Sequence, residues 1–171
     1  MTQQQAASRE EQIRRTIAEI NHCTDCGDYA GWVNLFTEDG AFHMFGHSTT
    51  GRDALRAFIE ADQPEHLRGL HMTTDSLISF EAEDRARVRS SFLFVSSGEN
   101  AGVVVAAGWY HDILVPSGDR WLFLEREAEL FGPVAGPPWG RKGFEDPTVT
   151  PWFAVKRSTP PERRGPMPTD N

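Results

Sequence analysis

Long apolar runs are missing from this chain of 171 residues. No stretch approaches the roughly 20 consecutive apolar residues that a membrane-crossing helix needs, so we expect no membrane partner. The opening residues, MTQQQAASREEQ, also lack the basic-then-apolar order of a secretory signal peptide. We therefore expect a cytoplasmic protein. Its 39% hydrophobic content suits one domain with a core.

Positive charge is scarce relative to negative charge. The chain has 17 lysines and arginines against 25 aspartates and glutamates, which gives a net charge of −8. A surface with this balance repels phosphate backbones and anionic membranes. The composition therefore argues against a nucleic-acid partner.

Cysteine occurs only as Cys23 and Cys26, a C-x-x-C pair. A redox pair would stand at a helix N-terminus after a strand, whereas this pair falls at a predicted helix C-terminus. A zinc site would need further ligands, and no H-x-H or H-E-x-x-H spacing joins the histidines. We interpret both cysteines as small helix-packing residues and expect no metal and no cofactor.

Hydrophobic periodicity predicts three helices in the first part of the chain. Ile13, Ile17 and Ile20 form one stripe of a first helix, which Gly27 ends. A second helix begins after Asp28 and leads to a turn at residues 38–40. A short strand is predicted over 41–46, and a third helix over 53–59.

The rest of the core is predicted to be β. Four strand-like runs, at about 69–81, 85–97, 101–115 and 120–131, are separated by short polar turns, which make neighbouring strands antiparallel. Helices followed by a meander indicate an α+β domain over residues 10–131, with the helices on one face of a curved sheet. We expect residues 1–9 to be disordered.

Nine of the eleven prolines lie between Pro133 and Pro168, so residues 132–171 form a proline-rich extension that cannot continue the sheet. Its large aromatic residues predict partial order up to about residue 155. We expect residues 132–155 to wrap across the domain, a neighbouring subunit or a pocket mouth. Residues 158–171 are expected to fray.

Polar residues interrupt three of the predicted strands. Arg126 shares a face with Leu122, Leu124, Ala128 and Leu130, and a cation there needs a partner. That partner is either Asp112 or Glu125 in an internal ion pair, or a carboxylate or oxyanion held in a pocket.

Tyr110 and Asp112 share one face of the central strand, either as cavity residues or as satisfied core polar groups. His71 shares its predicted face with Thr73, Asp75, Leu77 and Ser79, a row that would suit a wet cavity.

Asp25 and His71 are the leading candidates for catalysis. An aspartate that orients a histidine allows proton transfer near neutral pH without a cofactor. Helical periodicity places Asp25 only at the flank of the apolar stripe. The pattern alone therefore leaves the pairing open.

The order of several short motifs resembles the SnoaL-like branch of the nuclear transport factor 2-like superfamily, which includes ketosteroid isomerase and scytalone dehydratase. The resemblance runs from about Glu10 to Phe131, and its motifs are Asp25-x-x-Asp28, residues 35–40 (LFTEDG), Gly51-Arg52, His71, Gly108-x-Tyr110-x-Asp112 and Trp121-x-x-x-x-Arg126. It implies a cone-shaped α+β barrel, in which three helices pack on a strongly curved mixed sheet around an active site.

The resemblance also implies roles for individual residues. Asp25 and His71 fall where dehydratase-like members place a catalytic pair, and Arg126 where some members use an arginine. Several members have a catalytic tyrosine five residues before the aspartate, where this chain has Ile20. The resemblance therefore leaves Tyr110 or His43 to supply the acid.

Two functions follow as hypotheses. The first is a cofactor-independent lyase or isomerase on a compact, largely apolar or polycyclic hydroxylated or carbonyl compound. Arg126 or Tyr110 would stabilise the oxyanion, and the cavity walls would come from Trp32, Phe42, Phe45, Phe92, Phe94 and Trp109. The second is a non-catalytic binding or assembly module. In either case the resemblance implies a homodimer or homotrimer.

Overall fold

The computed structural model describes residues 8–97 and 101–131, which form three helices and one six-stranded sheet. The helices are α1 (Arg9–Cys26), α2 (Tyr29–Asn34) and α3 (Arg52–Asp62), followed by one 3₁₀ turn (Glu65–Leu67). The strands are β1 (Phe36–Met44), β2 (His47–Thr50), β3 (Gly69–Ala82), β4 (Arg85–Ser96), β5 (Val104–Ser117) and β6 (Arg120–Leu130). The proline-rich extension lies outside the described residues.

The sheet has the strand order β2-β1-β6-β5-β4-β3. Only the β1–β6 pair is parallel, and all other neighbours are antiparallel. Helix α1 packs across β3 and β6, while α3 packs on β1 and β2. The predicted α+β fold with helices on a mixed sheet is confirmed, although the sheet ends at β2 and β3 rather than closing. No helix in the described ranges has the length and apolar character to cross a membrane.

Local sequence sets both ends of α1. Ser8 and Glu11 form a reciprocal capping box at its start. At its end Gly27 adopts a left-handed conformation with φ of 73°, and a side chain there would collide with the Arg68 guanidinium group. The predicted stripe of Ile13, Ile17 and Ile20 is buried.

The region after α2 differs from its prediction. Helix α2 ends at Asn34, and β1 begins at Phe36 because the Phe123 N–H of β6 donates to the Leu35 carbonyl oxygen over 2.8 Å. The predicted turn at residues 38–40 is an irregularity within β1, where the β6 register shifts between Phe36 and Ala41. The sequence prediction also missed β2.

Two β-bulges overturn predicted strand faces. In β3 the register shifts between Thr74 and Leu77, and Asp75 has a positive φ of 53°. Residues after the bulge therefore change faces, so the predicted row from His71 to Ser79 is wrong beyond Thr73. In β6 the shift falls at Leu124, between the residues that pair with Ile113 and Leu114. Arg126 consequently shares the helix-covered face with Phe123 rather than with Leu124.

The buried apolar residues form two clusters. The larger cluster lies between the helices and the sheet and contains the three isoleucines of α1. The smaller one lies at the other end of the sheet, around Phe92, Phe94, Ala106, Tyr110 and Ala128. The smaller cluster borders the cavity described below.

Gly108 allows strands β4, β5 and β6 to approach closely. A Cβ atom there would lie against the Glu129 carbonyl oxygen and 2.8 Å from the Phe92 ring. We expect Gly108→Ala to lower the free energy of unfolding by about 1–3 kcal/mol, because this core has no room for a methyl group. Urea unfolding measures the loss. Ser117→Ala at the exposed end of the same strand is the control and should change stability by less than about 0.5 kcal/mol. An equal effect of both would contradict the packing argument.

Candidate active site

Asp25 and His71 are brought together by the packing of α1 on β3. Asn21 precedes Asp25 by one helical turn, and its Nδ2 donates to Thr73 Oγ1 over 2.9 Å. Four residues of helix span about 6 Å and two residues of strand about 6.6 Å. Two side chains of α1 therefore align with two side chains of one strand face. The resemblance in the sequence predicted that Asp25 and His71 form a pair. Helical periodicity alone could not determine the direction of the Asp25 side chain.

The Asp25 carboxylate holds both the ring and the backbone of His71. His71 Nδ1 lies 2.6 Å from Asp25 Oδ1, and the His71 backbone N–H donates to both carboxylate oxygens over 3.1 Å. The side chains are only 12% and 13% exposed, and the His71 ring stacks on Phe94 with centroids 4.4 Å apart. An ionised carboxylate only accepts hydrogen bonds, so it favours the tautomer with hydrogen on Nδ1 and leaves Nε2 as a proton acceptor.

His71 lines a cavity between the helices and the open end of the sheet. Most of the cavity wall is apolar and comes from all three helices and from β1, β4, β5 and β6. The apolar lining consists of Ile20, Trp32, Phe42, Met44, Phe45, Phe58, Ile59, Leu67, Phe92, Phe94, Ala106, Ala128 and Leu130. The polar lining consists of Asn21, Thr24, Asp62, Gln63, His71, Tyr110 and Arg126.

Arg126 and Asp112 form a buried ion pair next to this cavity. Arg126 Nε lies 3.5 Å from Asp112 Oδ1, and the two side chains are 2% and 0% exposed. Arg126 Nη1 and Nη2 have no hydrogen-bond partner within residues 8–97 and 101–131. The guanidinium group also lies 3.8 Å from the centre of the Tyr110 ring. Arg126 is thus both paired and a cavity residue, and the alternative partner Glu125 is exposed.

Burial dominates the electrostatics of this cluster. It raises the pKa of Tyr110 to about 12, against the lowering effect of Arg126. It also raises the pKa of Asp112 to about 6, while Arg126 and His111 lower it. Tyr110 therefore keeps its hydroxyl proton near neutral pH and can donate a hydrogen bond.

Asp62 is a cavity residue that the sequence prediction missed. The predicted third helix stops at residue 59, whereas α3 continues to Asp62. Leu55, Ile59 and Asp62 lie at positions i, i+4 and i+7, so Asp62 extends the apolar stripe of α3. A carboxylate on an apolar stripe was the signal that could have identified it.

A hydrogen-bonded group fixes the edge of the cavity near Asp62. The Tyr29 hydroxyl donates to the Gln63 carbonyl oxygen, and Arg68 Nη2 donates to the Tyr29 oxygen over 3.0 Å. These bonds join α2, the end of α3 and the start of β3. They hold the segment that presents Asp62 against the segment that presents His71.

Other predicted residues lie away from the cavity. His43 is not part of the cavity lining, since its neighbours Phe42 and Met44 point inward and its Nδ1 lies 2.8 Å from Ser48 Oγ. His43 is therefore not placed to supply the acid in this cavity.

Trp109 does not line the cavity either, contrary to the prediction. It is 38% exposed and lies edge-on to Phe131, on the other face of β5 from Tyr110. Both cysteines are free: Cys23 packs partly on the core, as expected, but Cys26 is exposed.

Comparison with known proteins adds a family and several similar folds. The sequence pattern of the SnoaL-like domain matches residues 5–127. A protein of unknown function from Mycobacterium tuberculosis is 30% identical over 74% of this chain and 73% of its own, with a TM-score of 0.67. No curated protein matches the chain.

Two further solved structures share the architecture. A candidate scytalone dehydratase from Novosphingobium aromaticivorans is 26% identical over 77% of this chain and 93% of its own, with a TM-score of 0.63. A Nostoc punctiforme protein of unknown function, with a cystatin-like fold, is 21% identical over 71% of this chain and 90% of its own, with a TM-score of 0.64. At that last level of identity the likeness concerns the fold alone.

Proposed function

Since the chain belongs to the SnoaL-like domain family of the nuclear transport factor 2-like superfamily, we propose that it is a cofactor-independent lyase or isomerase. Its substrate would be a compact, largely apolar ring compound with a carbonyl group and, for elimination, a hydroxyl group. The family includes enzymes such as scytalone dehydratase. The proposed chemistry begins with the removal of a proton from the carbon beside the carbonyl group.

The pair of Asp25 and His71 carries this proposal. A histidine whose Nδ1 lies 2.6 Å from a carboxylate has its other ring nitrogen, Nε2, available as a base. When Nε2 takes a proton, the Asp25 carboxylate stabilises the imidazolium ion. Because both side chains are largely buried, water screens this interaction weakly.

The opposite charge of the reaction would develop on the carbonyl oxygen. Tyr110 and Arg126 line the same cavity and are hydrogen-bond donors near neutral pH. They would stabilise the enolate oxygen in a largely dry environment. The apolar wall favours a ring substrate with few polar groups.

Isotope exchange on model ketones tests the proposal. Tetralones and steroid ketones are incubated with the protein in deuterium oxide, and the signal of the proton beside the carbonyl group is followed by NMR. We expect exchange on at least one ketone to be faster than in buffer alone. Each enolate that forms takes up deuterium from the solvent when it returns to the ketone.

Two outcomes separate the proposed enzyme from a binding module. Exchange that is catalysed without added metal or cofactor supports the lyase or isomerase. Ketones that bind, as measured by calorimetry, but show no exchange and no loss of water would support the binding module instead.

A further inference from the structure

Loss of a hydroxyl group from the proposed substrate needs an acid, because hydroxide is a poor leaving group. His71 is already assigned as the base. Arg126 cannot give up a proton near neutral pH. Tyr110 holds its proton tightly, since burial raises its pKa to about 12. A stronger acid in the same cavity would therefore be a better source of the second proton.

Asp62 lies in the same cavity as His71 and is the last residue of α3. Its position on the stripe of Leu55 and Ile59 turns its carboxyl group toward the interior. Within the described part of the chain, the hydrogen bond to this carboxyl group comes from Gln63 Nε2 to Oδ2, over 2.9 Å. The other oxygen, Oδ1, therefore remains available to a ligand.

The surroundings of Asp62 favour its neutral form. Burial raises the pKa of this carboxyl group, whereas the bond from Gln63 and a charge on His71 lower it. Asp62 also stands at the C-terminal, partly negative end of a helix, and the last turn of that helix contains no basic residue. A helix end of this kind disfavours a carboxylate.

We infer that Asp62 is a second catalytic residue of this site, a general acid that protonates the leaving hydroxyl group of the substrate. This inference rests on the proposed function. The substrate would lie between His71 and Asp62, with its carbonyl oxygen toward Tyr110 and Arg126.

The step balances as an elimination. His71 Nε2 takes the proton from the carbon beside the carbonyl group, and the C–H electron pair forms the new double bond. The C–O bond breaks, and the departing oxygen takes the proton of the Asp62 carboxyl group, so that water leaves. Asp62 becomes a carboxylate and His71 an imidazolium ion, and proton exchange with solvent restores both.

The other charged and titratable groups that line the cavity fit this role. They are His71 on β3, Tyr110 on β5 and Arg126 on β6, and Asp25 on α1 stands behind His71. The Asp62 carboxylate formed in the step faces an imidazolium ion formed in the same step. The two product charges therefore attract each other.

A pair of substrates with different leaving groups tests the inference. A tetralone with a hydroxyl group on the carbon β to the carbonyl yields naphthol and water, and its acetate ester yields naphthol and acetate. Only the first needs strong help from an acid, because acetate is a far better leaving group. Naphthol fluorescence reports both reactions.

We expect Asp62→Asn to slow the loss of water by about 10²–10⁴-fold and to leave the loss of acetate nearly unchanged. Asp53→Asn, at the exposed start of the same helix, is the matched control and should affect neither. Equal losses with both substrates, or no loss with either, would overturn the inference. A wild type that converts neither tetralone would count against the proposed substrate class.

A second measurement tests the role of Asp62 even if the wild type converts neither tetralone. NMR titration of side-chain carboxyl carbons in the wild type and in Asp62→Asn identifies the Asp62 signal. We expect this carboxyl group to titrate above the ordinary aspartate pKa of about 3.9. Titration at or below that value would overturn the role of Asp62 as an acid and leave the roles of Asp25 and His71 untouched.

Discussion

Replacing His71 with glutamine is expected to slow deuterium exchange beside the ketone carbonyl by about 10²–10⁴-fold. Glutamine keeps a polar side chain of similar reach but has no nitrogen that accepts a proton near neutral pH. The rate is measured by NMR on the ketone that the wild type exchanges fastest. Circular dichroism verifies that the variant is folded.

Asp25→Asn should lower the rate of deuterium exchange by a factor of the same order, but for a different reason. The Asp25 carboxylate accepts both the ring Nδ1–H and the backbone N–H of His71. An amide offers one acceptor, and its NH₂ group would favour the tautomer with hydrogen on Nε2, which cannot act as the base. Here too, the rate of exchange is the readout.

His47→Gln serves as the matched control, because His47 is exposed on β2 and is not part of the cavity lining. Its rate should equal that of the wild type. Full activity in His71→Gln would mean that another group removes the proton, and the proposed mechanism would then be wrong.

Arg126→Met is expected to lower the free energy of unfolding by about 3–5 kcal/mol at pH 8, because it leaves Asp112 as a buried charge without a partner. Arg126 is 2% exposed, and the carboxylate oxygens of Asp112 accept no hydrogen bond within the described residues. The control Arg120→Met removes a half-exposed arginine from the same strand. Its expected effect is below about 1 kcal/mol.

The cost of Arg126→Met should depend on pH. Burial raises the pKa of Asp112 to about 6 in the folded protein, above the ordinary value of about 3.9. A raised pKa stabilises the fold below the ordinary value, and this contribution is lost as the pH rises through the folded value. Without Arg126 the pKa of Asp112 rises further. As the pH increases, the variant therefore continues to lose stability above the pH at which the wild type no longer does.

Urea unfolding at pH 5 and pH 8 measures this difference. We expect a small cost of Arg126→Met at pH 5 and a large one at pH 8. Combining it with Asp112→Asn should recover part of the loss at pH 8, because no buried charge remains. A cost that is the same at both values would show that Asp112 does not titrate in this range.

The sequence predicted those parts of the molecule that local patterns determine. The isoleucine stripe of α1, its end at Gly27, strands β3 to β6 and the second half of β1 follow from periodicity and turn residues. The order of the motifs also indicated the pair of Asp25 and His71, which lie on different elements. Periodicity could not orient Asp25, because its direction depends on how α1 packs on β3.

The errors arose where tertiary contacts override a regular pattern. A single extra residue, at Asp75 in β3 and at Leu124 in β6, reverses the alternation of the strand beyond it. His43 was named as a candidate source of the acid, and only the observed strand shows that Phe42 and Met44, rather than His43, face the cavity. Asp62 was missed because α3 was predicted to stop three residues early.

The parallel pairing of β1 with β6 has a consequence for the order of folding. Strands β3 to β6 are consecutive hairpins, so their contacts are local in sequence and form quickly. Helix α1 and strand β1 must wait, since Thr16 Oγ1 donates to the Trp121 carbonyl oxygen and Phe123 N–H donates to the Leu35 carbonyl oxygen. On the ribosome, the part of the apolar face of α1 that packs on β6 therefore stays uncovered until β6 has emerged, and a chaperone that binds apolar helices would act during that interval.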